Sequence, residues 1–167
     1  MSGNPSQEPP RVRSSLADEK LPAACIRRAA VADAAEIARL SEQFGHPLLV
    51  PELARRIAAL DEMPSQCLIV AEAPGGRLLG WIQVERRVVL TAGERAEIAG
   101  LVVDAAARRR GIGRLLADAA QQWARAANLG EIVVRSNVAR DAAHVFYPAL
   151  GYRRLKTQHV YVKSLPG

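Results

Sequence analysis

Aromatic residues make up only 4% of the 167 positions. They are scattered, so no run of interleaved basic and aromatic side chains offers a stacking platform for single-stranded nucleic acid. There are two cysteines, Cys25 and Cys67. Two do not make a disulfide framework, and neither sits in metal-like spacing. The three histidines, His46, His144 and His159, have no His, Cys or carboxylate neighbour at ligand spacing. No metal is therefore expected. No apolar run approaches the roughly 20 residues needed to span a bilayer. The first twenty residues, MSGNPSQEPPRVRSSLADEK, lack the apolar core of a secretory signal. These absences predict a reducing, cytoplasmic location with no membrane partner.

What is present suits one globular domain with a real core: 49% hydrophobic and 24% charged residues. Residues 1–22, rich in Pro, Ser and charge, read as a disordered tail, and 23–167 as the domain. CIRRA predicts a first strand, and DAAEIARLSEQFG a helix with Asp33 and Glu36 at capping-box spacing. In PELARRIAALDEM, Pro51 suits the first helical position. QCLIVAEAPGGRLLGWIQVERRVVL reads as a hairpin turning at Pro74-Gly75-Gly76, with a bend at Gly80. ERAEIAGLVVD is a further strand, in which Gly100 predicts a bulge or a close backbone approach. Ile112, Leu115, Leu116, Ala119, Ala120 and Trp123 share one helical face, stopped by Asn128 and Gly130. A strand (EIVVRSN), a helix (ARDAAHVFYPALG) and one or two closing strands (YRRLKTQHVYVKSL) complete an α/β domain with a mixed sheet.

The net charge of +6 is carried by arginine far more than by lysine. The only triple, Arg108-Arg109-Arg110, lies in VVDAAARRRGIGRLL, residues 102–116. A strand, a glycine loop and a helix aim unpaired first-turn N–H groups at an anion, reinforced by the helix dipole. That placement favours a local anion site over a nucleic-acid face. A Rossmann site would need Gly or Ala where Leu116 stands, and no G-K-[ST] triplet exists for a P-loop. A coenzyme A pyrophosphate remains, beside a plain tight turn with exposed arginines.

The stretch Arg108-Arg109-Arg110-Gly111-Ile112-Gly113 resembles the R/Q-x-x-G-x-G/A acetyl-CoA loop of the Gcn5-related N-acetyltransferase (GNAT) superfamily. EIAGLVVD resembles its splayed central strand. RSNVARDAAHVFYPALGYRR resembles its N-x-x-A-x-x-F/Y-Y-x-x-x-G-F/Y segment, with one extra residue after Asn137. The likeness runs from about Ile26 to Leu165. It implies the GNAT fold: a mixed, mostly antiparallel sheet of six or seven strands, splayed in the centre and flanked by about four helices. It implies acetyl-CoA as co-substrate and N-acetylation of a primary amine by direct attack in a ternary complex. The acceptor is expected to be a small molecule, with a protein N-terminus or lysine as the alternative. A non-catalytic acyl-CoA-sensing module is the rival of another class, and a DNA-binding protein a third. By the same resemblance, Leu101, Val102 and Val103 would pair with the pantetheine arm, with the Leu101 N–H aimed at the thioester carbonyl. Arg108, Arg109, Arg110, Gly111, Ile112, Gly113 and Arg114 would cradle the pyrophosphate. Asn137 would contact pantetheine, with a helix N-cap as the other role open to it. Tyr147 would be the general acid and Glu97 the base, with Glu85 its competitor. A monomer or a homodimer is expected.

Overall fold

The computed structural model describes residues 23–165; the tail expected at 1–22 lies outside them. The order is β1 (Cys25–Arg28), α1 (Ala34–Glu42), α2 (Val50–Asp61), β2 (Gln66–Glu72), β3 (Leu78–Val89), β4 (Gly93–Val103), α3 (Ile112–Ala126), β5 (Ile132–Val134) and α4 (Asp141–Ala149). The five strands lie side by side in sequence order. β1 to β4 are antiparallel neighbours, and β5 joins β4 in parallel. This is the mixed, mostly antiparallel sheet with four helices that the sequence predicts.

Alternation along the strands gives the sheet two apolar faces. On one face Cys67, Ile69, Ile82, Val84, Ala96 and Ile98 meet α3. That helix sends down the row Ile112, Leu116, Ala120 and Ala124, spaced four apart and all buried. Leu115, Ala119 and Trp123, expected on the same face, are only partly buried on its flank. On the other face Ile37 and Leu40 of α1 and Leu53 and Ile57 of α2 cover Val70, Leu78 and Val102. Each fully buried side chain of this kind contributes about 1.5–3 kcal/mol.

Three local expectations are corrected. The sheet has five described strands rather than six or seven, because residues 153–165 form no strand. Val160, Tyr161 and Val162 there are 89–95% exposed, so their strand-forming character finds no surface to act on. Asp33 makes no cap bond to α1; it accepts from Ala30 N at 2.7 Å and takes Arg27 at 2.7 and 2.8 Å. Glu36 turns instead to Arg39. Pro51 is the second helical residue, not the first, since Val50 already opens α2.

Gly80 marks a close approach, next to the point where the β2–β3 register shifts, Ala71 facing Gly80 and Glu72 facing Leu78. A Cβ there would lie 2.6 Å from the Val102 carbonyl oxygen and 3.0 Å from Leu116. The oxygen belongs to the backbone and cannot step aside. Gly80→Ala should therefore cost about 1–3 kcal/mol, read as a lower midpoint in urea unfolding with unchanged slope.

Candidate active site

The site begins where β4 and β5 part. Their pairing runs Ala96↔Ile132, Glu97↔Val133, Ile98↔Val134, and then stops. β4 stays paired with β3 beyond that point, up to Gly80↔Val103. The β3–β4 register shifts between Gln83↔Gly100 and Val84↔Ile98, leaving Ala99 as the extra residue of a bulge.

The bulge changes which way the backbone points. Ala96 N donates to Glu131 O at 2.9 Å, so the even-numbered residues before the bulge face β5. Asp104 N donates to Leu79 O at 2.8 Å, so Asp104 faces β3. Successive residues alternate, and Val102 therefore exchanges its bonds with Trp81 on β3. Leu101 and Val103 turn their N–H and C=O groups toward the gap left by β5. Without the bulge the phase would be reversed. Leu101, Val102 and Val103, expected to act as one edge, divide: the register offers the first and third and engages the second.

Gly100 sits under Trp81. A Cβ at this position would lie 2.8 and 2.9 Å from the indole ring. Both explanations foreseen for this glycine, bulge and close approach, thus hold together.

The arginine loop follows directly. Asp104 caps a 3₁₀ turn, Ala105–Ala107, by accepting from Ala106 N. Arg109 then adopts φ 62 and Gly111 φ 81. A left-handed conformation is costly for arginine, and such strain concentrates where a loop is shaped for use. Gly111 is the N-cap of α3, and no side chain caps its first turn. The main-chain N–H groups of Ile112, Gly113 and Arg114 are thereby left free for an anion. The side chains of Arg108, Arg109, Arg110 and Arg114 are exposed around this mouth. Gly113 has a further role. A Cβ here would lie 3.1 Å from the Phe146 ring and 3.7 Å from Val103, so the absence of a side chain lets α4 lean on the loop.

The junction is braced by residues that the sequence reading passed over. Asp104, 2% exposed, accepts from Arg39 and Arg77, each at 2.9 Å. Arg39 grips Glu36 with two bonds, of 2.8 and 2.9 Å, and also bonds Leu78 O. Burial would push the Asp104 carboxyl up. The bonds from Arg77, the Ala106 N–H and Arg39 outweigh it and hold the group at about 2. Gln43 Oε1 accepts from Ala105 N at 2.9 Å. Phe44, just after α1, has Arg108 at 5.7 Å and Arg140 at 4.6 Å from its ring centroid, within cation–π range. The one legible signal was Asp104 itself, an acid between a strand end and a turn.

Tyr147 follows Phe146 on α4. Its ring stands edge-on to Phe146, centroids 5.1 Å apart, and to Tyr152 at 5.4 Å. Phe146 therefore links Tyr147 to Gly113. Burial pushes the Tyr147 phenol up to about 12, with Tyr152 adding and Arg140 opposing. Asn137 is exposed and accepts from Ala139 N at 2.9 Å, so it organises the turn before α4. It is not the N-cap of α4, a position taken by Arg140. His144, exposed, lies 3.1 Å from Val138 O. Among the described residues no group of three His, Cys, Asp or Glu could hold a metal ion.

Glu97, 5% exposed, points to the α1–α2 side of the sheet, opposite Ala96 and Ile98. Its Oε1 takes Arg135 at 2.8 Å and Arg87 at 3.3 Å. Glu85, its register partner on β3, lies 3.8 Å from Arg87.

A family model described as the acetyltransferase (GNAT) family matches residues 33–152. The chain belongs to that family. It is 44% identical over 61 residues to YhdJ, an uncharacterized N-acetyltransferase of Bacillus subtilis (strain 168). That match covers 36% of this chain and 43% of the relative, less than half of its length. Three solved structures share the fold. AAC(6')-Iy, in complex with the bisubstrate analogue CoA-S-monomethyl-acetylneamine, superposes at a TM-score of 0.74 and 19% identity, over 85% of this chain and 99% of its own. A glucosamine-6-phosphate N-acetyltransferase from Arabidopsis thaliana gives 0.73 and 17%, over 84% and 99%. A transcriptional regulator from Bacillus halodurans C-125 gives 0.71 and 26%, over 85% and 99%. No helix among the described residues is long and apolar enough to cross a membrane.

Proposed function

We propose that the protein is an acetyl-CoA-dependent N-acetyltransferase acting on a primary amine of a small molecule. The observation that carries this reading is the backbone phase of β4. Leu101 and Val103 offer unpaired groups to an extended amide-bearing arm, and that edge leads to the free N–H groups at the start of α3. One edge suits pantetheine and the other end suits a diphosphate. Acetyl-CoA would supply an acetyl group already activated as a thioester.

The chain's own groups then have distinct tasks. Ile112, Gly113 and Arg114 hold the diphosphate by main-chain N–H groups, with Arg108, Arg109 and Arg110 adding charge at the rim. The Leu101 N–H donates to the carbonyl oxygen as negative charge builds there. Glu97 takes the amine's proton through water, while its Oε1 holds Arg135 and Arg87. Tyr147 donates to the departing sulfur. Burial keeps the phenol protonated at neutral pH, so it is a donor for the nascent thiolate. Asn137 is proposed to touch the pantetheine arm. The small-molecule acceptor is favoured by neighbours named for aminoglycosides and glucosamine 6-phosphate.

The test pairs binding with turnover. Acetyl-CoA should raise the melting temperature of the wild type and release thiol with members of a primary-amine panel. Gly113→Glu sets a carboxylate among the donor N–H groups and should abolish both effects. An unchanged acetyl-CoA shift in Gly113→Glu would rule out the diphosphate site. A shift in wild type without thiol release from any amine, peptides included, would favour the sensing module instead.

A further inference from the structure

Three guanidiniums converge on the α1–α2 side of the sheet beside the point where β4 and β5 part. Arg135 and Arg87 share Glu97 Oε1 at 2.8 and 3.3 Å. Arg95 Nη2 stands 3.9 Å from Glu97 Oε2, too far for a hydrogen bond. Glu97 Oε2 and Arg95 Nε are both buried and find no partner among the described residues. The carboxylate is 6% exposed at its side chain, while Arg87 and Arg135 are 40% and 52% exposed. With Glu85 included, three positive charges meet two negative ones.

This differs from an ordinary surface ion pair. One oxygen of a buried acid anchors two long side chains whose remaining N–H groups reach solvent. A guanidinium carries five donors, so the Arg87 bond and the Arg135 ion pair to one oxygen leave most of them unused. Held this way, the pair forms a fork suited to a second, incoming oxyanion. Its position fits an acceptor. Glu97 pairs with Val133 one step before the β4–β5 ladder ends, and Arg135 follows the last paired residue, Val134. Leu101 lies on the order of 10 Å further along the strand.

We infer that Arg87 and Arg135, with Arg95 behind them, bind an anionic group of the acceptor, so that the preferred substrate is a short amine carrying a carboxylate or a phosphate. The inference rests on the transfer reading proposed above. In it Glu97 also positions the two arginines through Oε1.

The experiment compares chain-matched amines at saturating acetyl-CoA: butylamine, 1,4-diaminobutane, 4-aminobutyrate and 2-aminoethyl phosphate. Thiol release should show kcat/KM at least ten-fold higher for one or both anionic amines than for butylamine, with the difference in KM. The better anionic probe tells carboxylate from phosphate. Arg135→Gln and Arg87→Gln should each shrink that preference by about ten-fold, and Arg135→Lys should restore part of it. Equal or better use of butylamine or the diamine, or a preference untouched by both substitutions, overturns the inference. Thermal protection of the CoA complex by the same four compounds gives an independent readout. If no amine is acetylated yet 2-aminoethyl phosphate or 4-aminobutyrate protects wild type and not Arg135→Gln, the transfer reading falls and the anion site stands. Protection that ignores charge, without turnover, ends both.

Discussion

Tyr147→Phe should lower kcat for acetyl transfer by about 100-fold, with the KM for acetyl-CoA nearly unchanged. A donor aimed at charge that appears only in the transition state contributes to kcat and not to ground-state binding. The substitution keeps the ring, so the edge-on contacts with Phe146 and Tyr152 survive. Burial leads the rise of the phenol to about 12. The group therefore stays protonated throughout pH 6–9. The ratio of wild-type to variant rate should then be flat across that range, and any alkaline fall below pH 10 must belong to another group. Steady-state kinetics at saturating acetyl-CoA provide the check. A variant within three-fold of wild type would leave Tyr147 as a packing residue of α4.

The largest effect on stability is expected at Asp104. Asp104→Asn removes the charge that two arginines share and leaves both of them facing a neutral amide. Breaking a buried pair of this kind costs about 3–5 kcal/mol. Arg77 is 60% exposed and can rehydrate, so the low end, about 3 kcal/mol, is expected. For a chain of this length that is a fall of roughly 10 °C in melting temperature. The pH dependence has a definite sign. The carboxyl is held at about 2 in the fold against 3.8 ordinarily. Its stabilisation is complete above pH 4 and is lost as pH falls toward 2, about 2 kcal/mol in all. Urea unfolding at pH 5 and pH 2.5 should show that loss in wild type and a smaller one in Asp104→Asn. Equal losses would mean that Asp104 does not carry the acid sensitivity. Weaker binding of acetyl-CoA should accompany the substitution, because the same carboxylate caps the turn that launches the arginine loop.

The elements were largely legible because they obey short-range rules. The four-apart row of α3, the Pro-Gly-Gly turn and the glycine loop each depend on neighbours in sequence. Gly100 announced an irregularity, and both of its causes are there. The phase of Leu101 and Val103 was not legible. It depends on which residue of β4 faces which residue of β3, and one extra residue reverses the answer. Nor was the Asp104 brace, whose members Glu36, Arg39, Arg77 and Asp104 come from three separate stretches. Glu97 shows the same limit. Its place on the central strand was read from the letters, but its arginine partners arrive from β3 and from beyond β5. The closing segment failed for the opposite reason: VYV looks like a strand by itself, and strands need company.

A strand that loses step by a single residue acquires two kinds of neighbour along one edge. Before Ala99 that edge is zipped to the chain itself. After it, the same row of amides is left as an open seam, waiting for something that is not protein. Shape alone does not keep the seam open; counting does, since any guest must match a spacing written into the main chain, whatever side chains surround it.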